Sequence, residues 1–246
     1  YPDGAKKGFG DGLKSFSQPA FWAAILVLSI SIPSTNFLSS QRFAVAKKKV
    51  KSIAKVDTDS KKEPINAGES PFRGQKDSKV VIIEFSDFEC PYCRRLADSL
   101  KTAMEREPDL FKYHFKHYPM DNACNRDIEQ EMHEHACTAA IAMVCADGMD
   151  KGWALHDKMF ANQTDLNTEN IKRFAKEVGV DIERFNACMT SDKALAAVKK
   201  DVEDGIKAKV EGTPTWFLNG IRIVGYRSPE EIIGLAYKVQ ESEKTK

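Results

Sequence analysis

A Cys-Pro-Tyr-Cys motif at residues 90–93 constrains the fold of this chain more than any other feature. Residues 80–85, just before it, are mostly apolar and β-branched, which predicts a short buried strand. After it, Leu96, Ala97 and Leu100 follow the spacing of one face of a helix. The two cysteines therefore lie where a strand ends and a helix begins. Unpaired backbone N–H groups and the helix dipole favour a thiolate at such a place.

Two other interpretations of the motif are half of a zinc site and an inert structural disulfide. A zinc site would need further ligands at similar spacing, and the sequence contains no second Cys-X-X-Cys. A disulfide that closes so short a loop is strained and contributes little to stability. Pro91 suits the first turn of a helix, where its missing N–H costs nothing. We therefore interpret Cys90 and Cys93 as a redox-active dithiol.

A second segment, Gly-Thr-Pro-Thr-Trp-Phe at residues 212–217, completes a family resemblance. Together with Phe-Ser-Asp-Phe-Glu-Cys-Pro-Tyr-Cys it resembles the DsbA-like branch of the thioredoxin-fold thiol:disulfide oxidoreductases, over about residues 72–239. The resemblance implies that Cys90 is the nucleophile and that Cys93 resolves the mixed disulfide. It also implies that Glu84, six positions before the nucleophile, is a buried proton acceptor.

The same resemblance implies a substrate site around the motif. Thr213 and Pro214 would be joined by a cis peptide bond beside the dithiol, and with Pro91 and Tyr92 they would contact the substrate. The Pro-Tyr pair and the threonine before the proline also occur in disulfide isomerases of related architecture. Oxidase, reductase and isomerase therefore remain open, and the lack of an evident dimerisation segment favours an oxidase.

The 246-residue chain divides into four predicted parts. Residues 1–19 form an N-terminal fragment, and residues 20–38 are free of charge and long enough for a transmembrane segment. Residues 39–73, rich in Lys, Ser and Asp, predict a linker, followed by a DsbA-like domain at 74–246. That domain is predicted to be an α/β thioredoxin fold with a helical insertion at about 120–208. The formal charge of +1 indicates no nucleic-acid partner.

The apolar stretch at 20–38 allows three interpretations: a membrane anchor, the last helix of a larger membrane protein, or a cleavable signal peptide. An Ala-Val-Ala sequence at 44–46 would serve as the cleavage site. The lysines after the stretch would place the domain in the cytoplasm by charge alone. Six cysteines and an oxidoreductase motif favour the oxidising side instead. We therefore expect an anchor in the plasma or inner membrane and a periplasmic redox domain.

Local patterns within the domain predict its remaining elements. Phe111, Tyr113 and Phe115 alternate with polar residues, which predicts a half-buried strand. The Asn-Gly pair at 219–220 lies between two short apolar runs and predicts a hairpin. A capping box that begins at Ser228, with proline next, predicts the start of the last helix.

Four further cysteines lie in or beside the helical insertion, and their even number suggests two structural disulfides. Cys137 and Cys145 are too far apart along one predicted helix to bridge each other. We prefer Cys124–Cys137 and Cys145–Cys188, with free buried thiols at Cys145 and Cys188 as the alternative.

A metal site at the same place would combine His133 and His135 with Cys137 and Cys124. His133 and Cys137 share a helical face, but His135 points elsewhere. Surface histidines beside a disulfide are the more common case, and we assign no metal.

The expected chemistry needs no cofactor beyond the redox-active disulfide, and its partners are protein or peptide thiols and disulfides. A quinone would enter only through a membrane redox partner of the vitamin K epoxide reductase or DsbB type. The hydrophobic stretch, linker and redox domain together also resemble the C-terminal part of a vitamin K epoxide reductase–thioredoxin-like fusion. A non-catalytic peptide-binding module of the same fold is the rival from another class. It would not need the nucleophile, resolving cysteine, acidic residue and proline together.

Overall fold

The computed structural model describes residues 62–244. The predicted fragment 1–19, the predicted membrane segment 20–38 and residues 39–61 of the predicted linker lie outside the described residues. The strands are β1 (Phe72–Gly74), β2 (Val80–Ser86), β3 (Phe111–His117), β4 (Thr215–Leu218) and β5 (Ile221–Val224). The helices are α1 (Pro91–Arg106), α2 (Ala136–Asp147), α3 (Gly152–Ala161), α4 (Thr168–Glu177), α5 (Ile182–Met189), α6 (Asp192–Lys207) and α7 (Pro229–Lys244). None of these helices is long and apolar enough to cross a lipid bilayer.

The strands form one mixed sheet in the order β1-β3-β2-β4-β5. β2 and β3 are parallel, and the other neighbours are antiparallel. A parallel pair needs a crossover connection, which α1 provides between β2 and β3. α1 packs against α7, while α6 packs against β3. The central strand of the sheet, β2, ends shortly before the two cysteines.

β2 is the central strand and is buried on both faces. Val80 and Ile82 belong to one hydrophobic cluster, whereas Ile83 and Phe85 belong to another. Because successive side chains of a strand point to opposite faces, one apolar run can supply both cores. This burial makes the end of β2 a rigid support for the residues that follow it.

The prediction that β3 is half-buried is wrong, because both of its faces are covered. The polar residues of the strand include Lys116, whose side chain is only 2% exposed. Its ammonium group lies 2.9 Å from carboxylate oxygens of Asp201 and Asp204 on α6. The ion pairs offset part of the cost of burying the charge, so a lysine is compatible with this buried face.

The helical insertion follows β3 and comprises α2 to α6. The chain then re-enters the sheet through β4 and β5, whose turn has positive φ at Asn219 and Gly220, as a tight hairpin requires. The Ser228 N–H donates to Glu231 at 2.8 Å, and the Glu231 N–H donates to the Ser228 hydroxyl, which completes the predicted capping box. These elements confirm the predicted thioredoxin fold with a helical insertion.

Residues before the predicted domain boundary at residue 74 already contact the sheet. Glu63 makes a bidentate ion pair with Arg222, at 2.7 and 2.6 Å, and its N–H donates to the Gly220 carbonyl. Phe72 begins the edge strand β1, which is antiparallel to β3. Residues 62–73 have no apolar periodicity of their own, so their position is set by contacts with the sheet and is not indicated by a local sequence pattern.

Candidate active site

The two motif cysteines lie at the start of α1, and both are free thiols. Cys90 is the N-cap residue with an extended backbone, and Pro91 follows in the first turn. Cys93 is completely buried, whereas Cys90 retains a small exposed fraction of 6%. Only Cys90 is therefore accessible to a second molecule in this conformation.

The predicted cis-proline loop lies against the nucleophile. The Thr213–Pro214 peptide bond is cis, as the resemblance implies. Cys90 Sγ lies 3.3 Å from the Thr213 carbonyl oxygen. The Thr213 carbonyl and Pro214 thus adjoin the sulfur atom that a substrate would attack.

The two thiols differ strongly in acidity. A hydrogen bond from the Cys93 thiol, together with backbone N–H groups of Cys93 and Tyr92, lowers the pKa of Cys90 from 9.0 to about 6. Burial raises the pKa of Cys93 well above its ordinary value, and the neighbouring Cys90 adds to that effect. At neutral pH, Cys90 is therefore mainly a thiolate and Cys93 a thiol.

Glu84 is completely buried on β2. The Tyr113 hydroxyl on β3 donates to Glu84 Oε2 at 2.7 Å, while Oε1 has no hydrogen-bond partner within the described part of the chain. Burial raises the pKa of Glu84 from 4.5 to about 7, despite the opposing effect of the Tyr113 hydrogen bond. The charge of Glu84 in turn contributes to raising the pKa of Cys93. The carboxyl group can therefore exchange a proton near neutral pH.

Sequence reasoning missed the residues that fix Tyr113. The Tyr113 ring lies 5.2 Å from the Trp153 ring of α3, measured between centroids. The Arg73 guanidinium stacks over Trp153 at 4.4 Å and donates to Asp157 at 2.9 Å. These contacts join β1, β3 and the helical insertion, and no local pattern in the sequence indicates them.

The turn between β2 and α1 is held by contacts that the motif did not predict. The Asp87 N–H donates to Cys93 Sγ at 3.4 Å, and the Cys90 N–H donates to the Asp87 carbonyl at 3.2 Å. The Gln163 amide, from the helical insertion, donates to the carbonyl groups of Phe88 and Cys90. Both cysteines are therefore positioned from the sheet and from the insertion.

An exposed surface surrounds the nucleophile. Tyr92, inside the motif, is 55% exposed, and Arg95 lies over its ring. Val224 is 59% exposed and pairs in β5 with Thr215, next to the cis-proline loop. Met132, also 59% exposed, precedes His133, which contacts Asp87. Exposed apolar side chains therefore occur in the motif, beside the cis-proline loop and in the loop that contacts Asp87.

The remaining cysteines form the two pairs that the sequence analysis preferred. Cys124 is bonded to Cys137, and Cys145 is bonded to Cys188. Within residues 62–244, no three His, Cys, Asp or Glu side chains form a group able to hold a metal ion.

A family model described as Thioredoxin matches residues 66–235 of the chain. Among curated proteins, the Na(+)/H(+) antiporter NhaA 1 of Mycolicibacterium vanbaalenii is 32% identical over 164 residues. That match covers 66% of this chain and 25% of the relative. The NhaA 3 antiporter of Salinispora tropica is 26% identical over 73% of this chain and 26% of that protein. The chain spans about a quarter of the length of these relatives.

Solved structures share the fold. Wolbachia pipientis alpha-DsbA1 superposes with a TM-score of 0.62 at 16% identity, covering 74% of this chain and 96% of that one. The thiol-disulfide exchange protein alpha-DsbA2 from the same organism gives 0.59 at 20% identity, over 82% and 98% of the two chains. The catalytic domain of Proteus mirabilis ScsC gives 0.56 at 22% identity, over 69% and 89%.

Proposed function

We propose that this chain, which belongs to the thioredoxin family and is a thiol-disulfide oxidoreductase of the DsbA-like type, introduces disulfide bonds into protein substrates outside the cytoplasm. The lowered pKa of Cys90, about 6, supports disulfide exchange through its thiolate. A stabilised thiolate stabilises the reduced form, so the oxidised form is a stronger oxidant. Because the nucleophile of thioredoxin has a pKa of about 7 and that of DsbA about 3.5, the acidity of Cys90 does not by itself select the direction, and the observation that carries it is the pair of structural disulfides.

The two structural disulfides support an oxidising compartment. The Cys124–Cys137 disulfide joins the loop before α2 to that helix. The Cys145–Cys188 disulfide joins α2 to α5. Such bonds persist in secreted and periplasmic proteins and are rare in reducing cytosol. We therefore infer that the redox domain acts on the extracytoplasmic side of the membrane.

The first step consumes the Cys90–Cys93 disulfide. A substrate thiolate attacks Cys90 Sγ, a new sulfur–sulfur bond forms to Cys90, and Cys93 leaves with the electron pair of the broken bond. Because Cys93 is buried and has a strongly raised pKa, its thiolate takes a proton readily. We assign that proton to the Glu84 carboxyl group, whose pKa of about 7 allows it to be protonated beforehand.

The second step releases the product. A second substrate thiolate attacks the substrate sulfur of the mixed disulfide, and Cys90 leaves as the more stable thiolate. The substrate has then lost two electrons and gained one disulfide, and the enzyme holds the reduced dithiol. The Thr213–Pro214 loop would bind the substrate backbone as an added strand, with Tyr92 and Val224 contacting its apolar side chains.

Turnover then requires reoxidation of the dithiol. We infer a membrane redox partner of the vitamin K epoxide reductase or DsbB type, linked to a quinone, which accepts the two electrons. Whether that partner is a separate protein or part of the same polypeptide is tested by the length of the intact gene. A fused partner requires several additional membrane spans upstream.

The experiment is the equilibrium of Cys90–Cys93 with a glutathione buffer, measured on the full chain by trapping free thiols and quantifying each cysteine by mass spectrometry. An oxidase or isomerase should give a reduction potential of roughly −120 to −180 mV. A value near the roughly −270 mV of thioredoxin would instead make the protein a reductase. The Cys90→Ser variant should not exchange, and exchange by that variant would contradict the mechanism.

A further inference from the structure

One loop of the helical insertion is fastened to the turn that carries the active-site cysteines. This loop, residues 118–135, connects β3 to α2 and is closed by the Cys124–Cys137 disulfide. Asp87 Oδ2 accepts hydrogen bonds from the Met120 N–H at 2.7 Å and from His133 Nδ1 at 2.8 Å. The last residue of the loop makes a similar contact with the turn, because Glu89 Oε2 accepts a hydrogen bond from the N–H of His135 at 2.6 Å.

Asp87 connects this loop to both active-site cysteines. Its N–H donates to Cys93 Sγ and its carbonyl accepts from the Cys90 N–H. Its carboxyl group has a side-chain exposure of 0%. Within the described part of the chain, His133 is the cationic side chain that contacts this carboxylate. A buried carboxylate without a cationic partner is costly, so the state of His133 bears on the geometry of the whole turn.

We propose that His133 is a positioning residue of the active site, which acts through Asp87. Its imidazolium ion pairs with the buried carboxylate 2.8 Å away and supplies a positive charge to the turn that carries Cys90, from outside the Cys-X-X-Cys motif. The inference rests on the proposed function, because it concerns the stability of the Cys90 thiolate during disulfide exchange.

Electrostatic linkage supports the proposal. The hydrogen bond to Asp87 raises the pKa of His133, and the charges of Glu89 and Cys90 raise it further. Linkage is reciprocal: if the Cys90 thiolate favours protonation of His133, then protonated His133 favours the Cys90 thiolate by the same free energy. The groups that face His133 with negative charge are Asp87, Glu89 and Cys90. His133 is 24% exposed at its side chain, so solvent protons reach it.

The test compares His133→Gln with the wild-type chain, both reduced at Cys90 and Cys93 and with the other disulfides intact. Titration of thiolate absorbance near 240 nm reports ionisation of Cys90. An opposite charge at close range changes a pKa by about one pH unit or more, and His133 acts from beyond Asp87, so loss of its charge should raise the pKa of Cys90 by up to about one pH unit. At pH 7 an increase of one pH unit would make the dithiol about fivefold less oxidising against glutathione.

Two variants separate charge from structure. His133→Lys keeps the charge and should titrate closer to the wild type than to the glutamine variant. His135→Gln is the matched control on the same loop, since the backbone N–H of His135 that donates to Glu89 is kept in the variant. It should leave the titration of Cys90 unchanged. The difference between wild type and His133→Gln should also shrink as pH rises through the pKa of His133.

Several outcomes overturn the inference. His133→Gln could lower the unfolding temperature and leave the pKa of Cys90 and the glutathione equilibrium unchanged, which would make His133 merely structural. The lysine variant could titrate like the glutamine variant, which would exclude the charge as the cause. If the wild-type chain exchanges no disulfides at all, the proposed function fails, and the thiolate titration still tests His133 separately.

Discussion

Replacement of Glu84 by glutamine should stabilise the protein at alkaline pH and leave its stability at acidic pH nearly unchanged. Glu84 is completely buried, and burial raises its pKa from 4.5 to about 7. A pKa difference of one between the folded and unfolded states corresponds to ~1.4 kcal/mol, so ionised Glu84 costs about 3 kcal/mol in the folded state above pH 7. Glutamine resembles the protonated carboxyl group in shape but does not titrate.

The direction in which the free energy of unfolding changes with pH follows from the proton bound to Glu84. Between pH 4.5 and about 7, the folded state keeps a proton on Glu84 that the unfolded state has released. The free energy of unfolding therefore falls as pH rises through this interval, and above it the full cost is present. The glutamine variant lacks this slope. The difference in unfolding free energy between variant and wild type should grow from near zero below pH 4.5 to about 3 kcal/mol above pH 7.

Urea denaturation at a series of pH values measures this difference. The Cys90–Cys93 disulfide should be kept formed, so that the thiols do not titrate, and the series should then be repeated with the dithiol reduced. The charge of Cys90 raises the pKa of Glu84, so the midpoint should lie somewhat higher in the reduced protein. A variant that differs from wild type by the same amount at every pH would refute the reasoning, because the buried charge would then not be the cause.

Three further substitutions test separate contacts. Tyr113→Phe leaves Glu84 Oε2 without its donor, so the pKa of Glu84 should rise further and the stability slope should move to higher pH in the same urea series. Ser228→Ala removes a cap of α7 and should cost about 1 kcal/mol, measured by thermal unfolding, and an unchanged transition would contradict the assigned cap. Gly205→Ala would place a methyl group 2.5 Å from Tyr118 and should cost about 1–3 kcal/mol, although alanine is the better helix former. A calorimetric scan decides which effect is larger.

The sequence was most informative where local pattern and chemistry coincide. The apolar run of β2, the helix that begins at Pro91 and the Asn-Gly hairpin are each encoded within a few residues. Helical spacing excluded a Cys137–Cys145 bond, and the remaining preference agrees with the disulfides in the structure. The roles of Glu84 and Pro214 came from family resemblance, since nothing in their local pattern indicates a catalytic function.

Contacts between distant segments could not be predicted in this way. His133 meets Asp87 across 46 positions of sequence, and Tyr113 meets Glu84 across 29. The loop that carries His133 has no periodic pattern of apolar residues, so the sequence does not indicate that the loop contacts the buried carboxylate of Asp87. The burial of Lys116 was likewise missed, because alternation describes one strand and gives no information about the helix that covers its second face.

The two structural disulfides make this protein itself a substrate for disulfide formation. A newly synthesised copy arrives with reduced thiols at Cys124, Cys137, Cys145 and Cys188, which must be oxidised before the helical insertion is complete. Mature copies in the same compartment would be competent oxidants for those thiols. Production of active protein would then be autocatalytic, slow from an empty compartment and faster as the mature population grows.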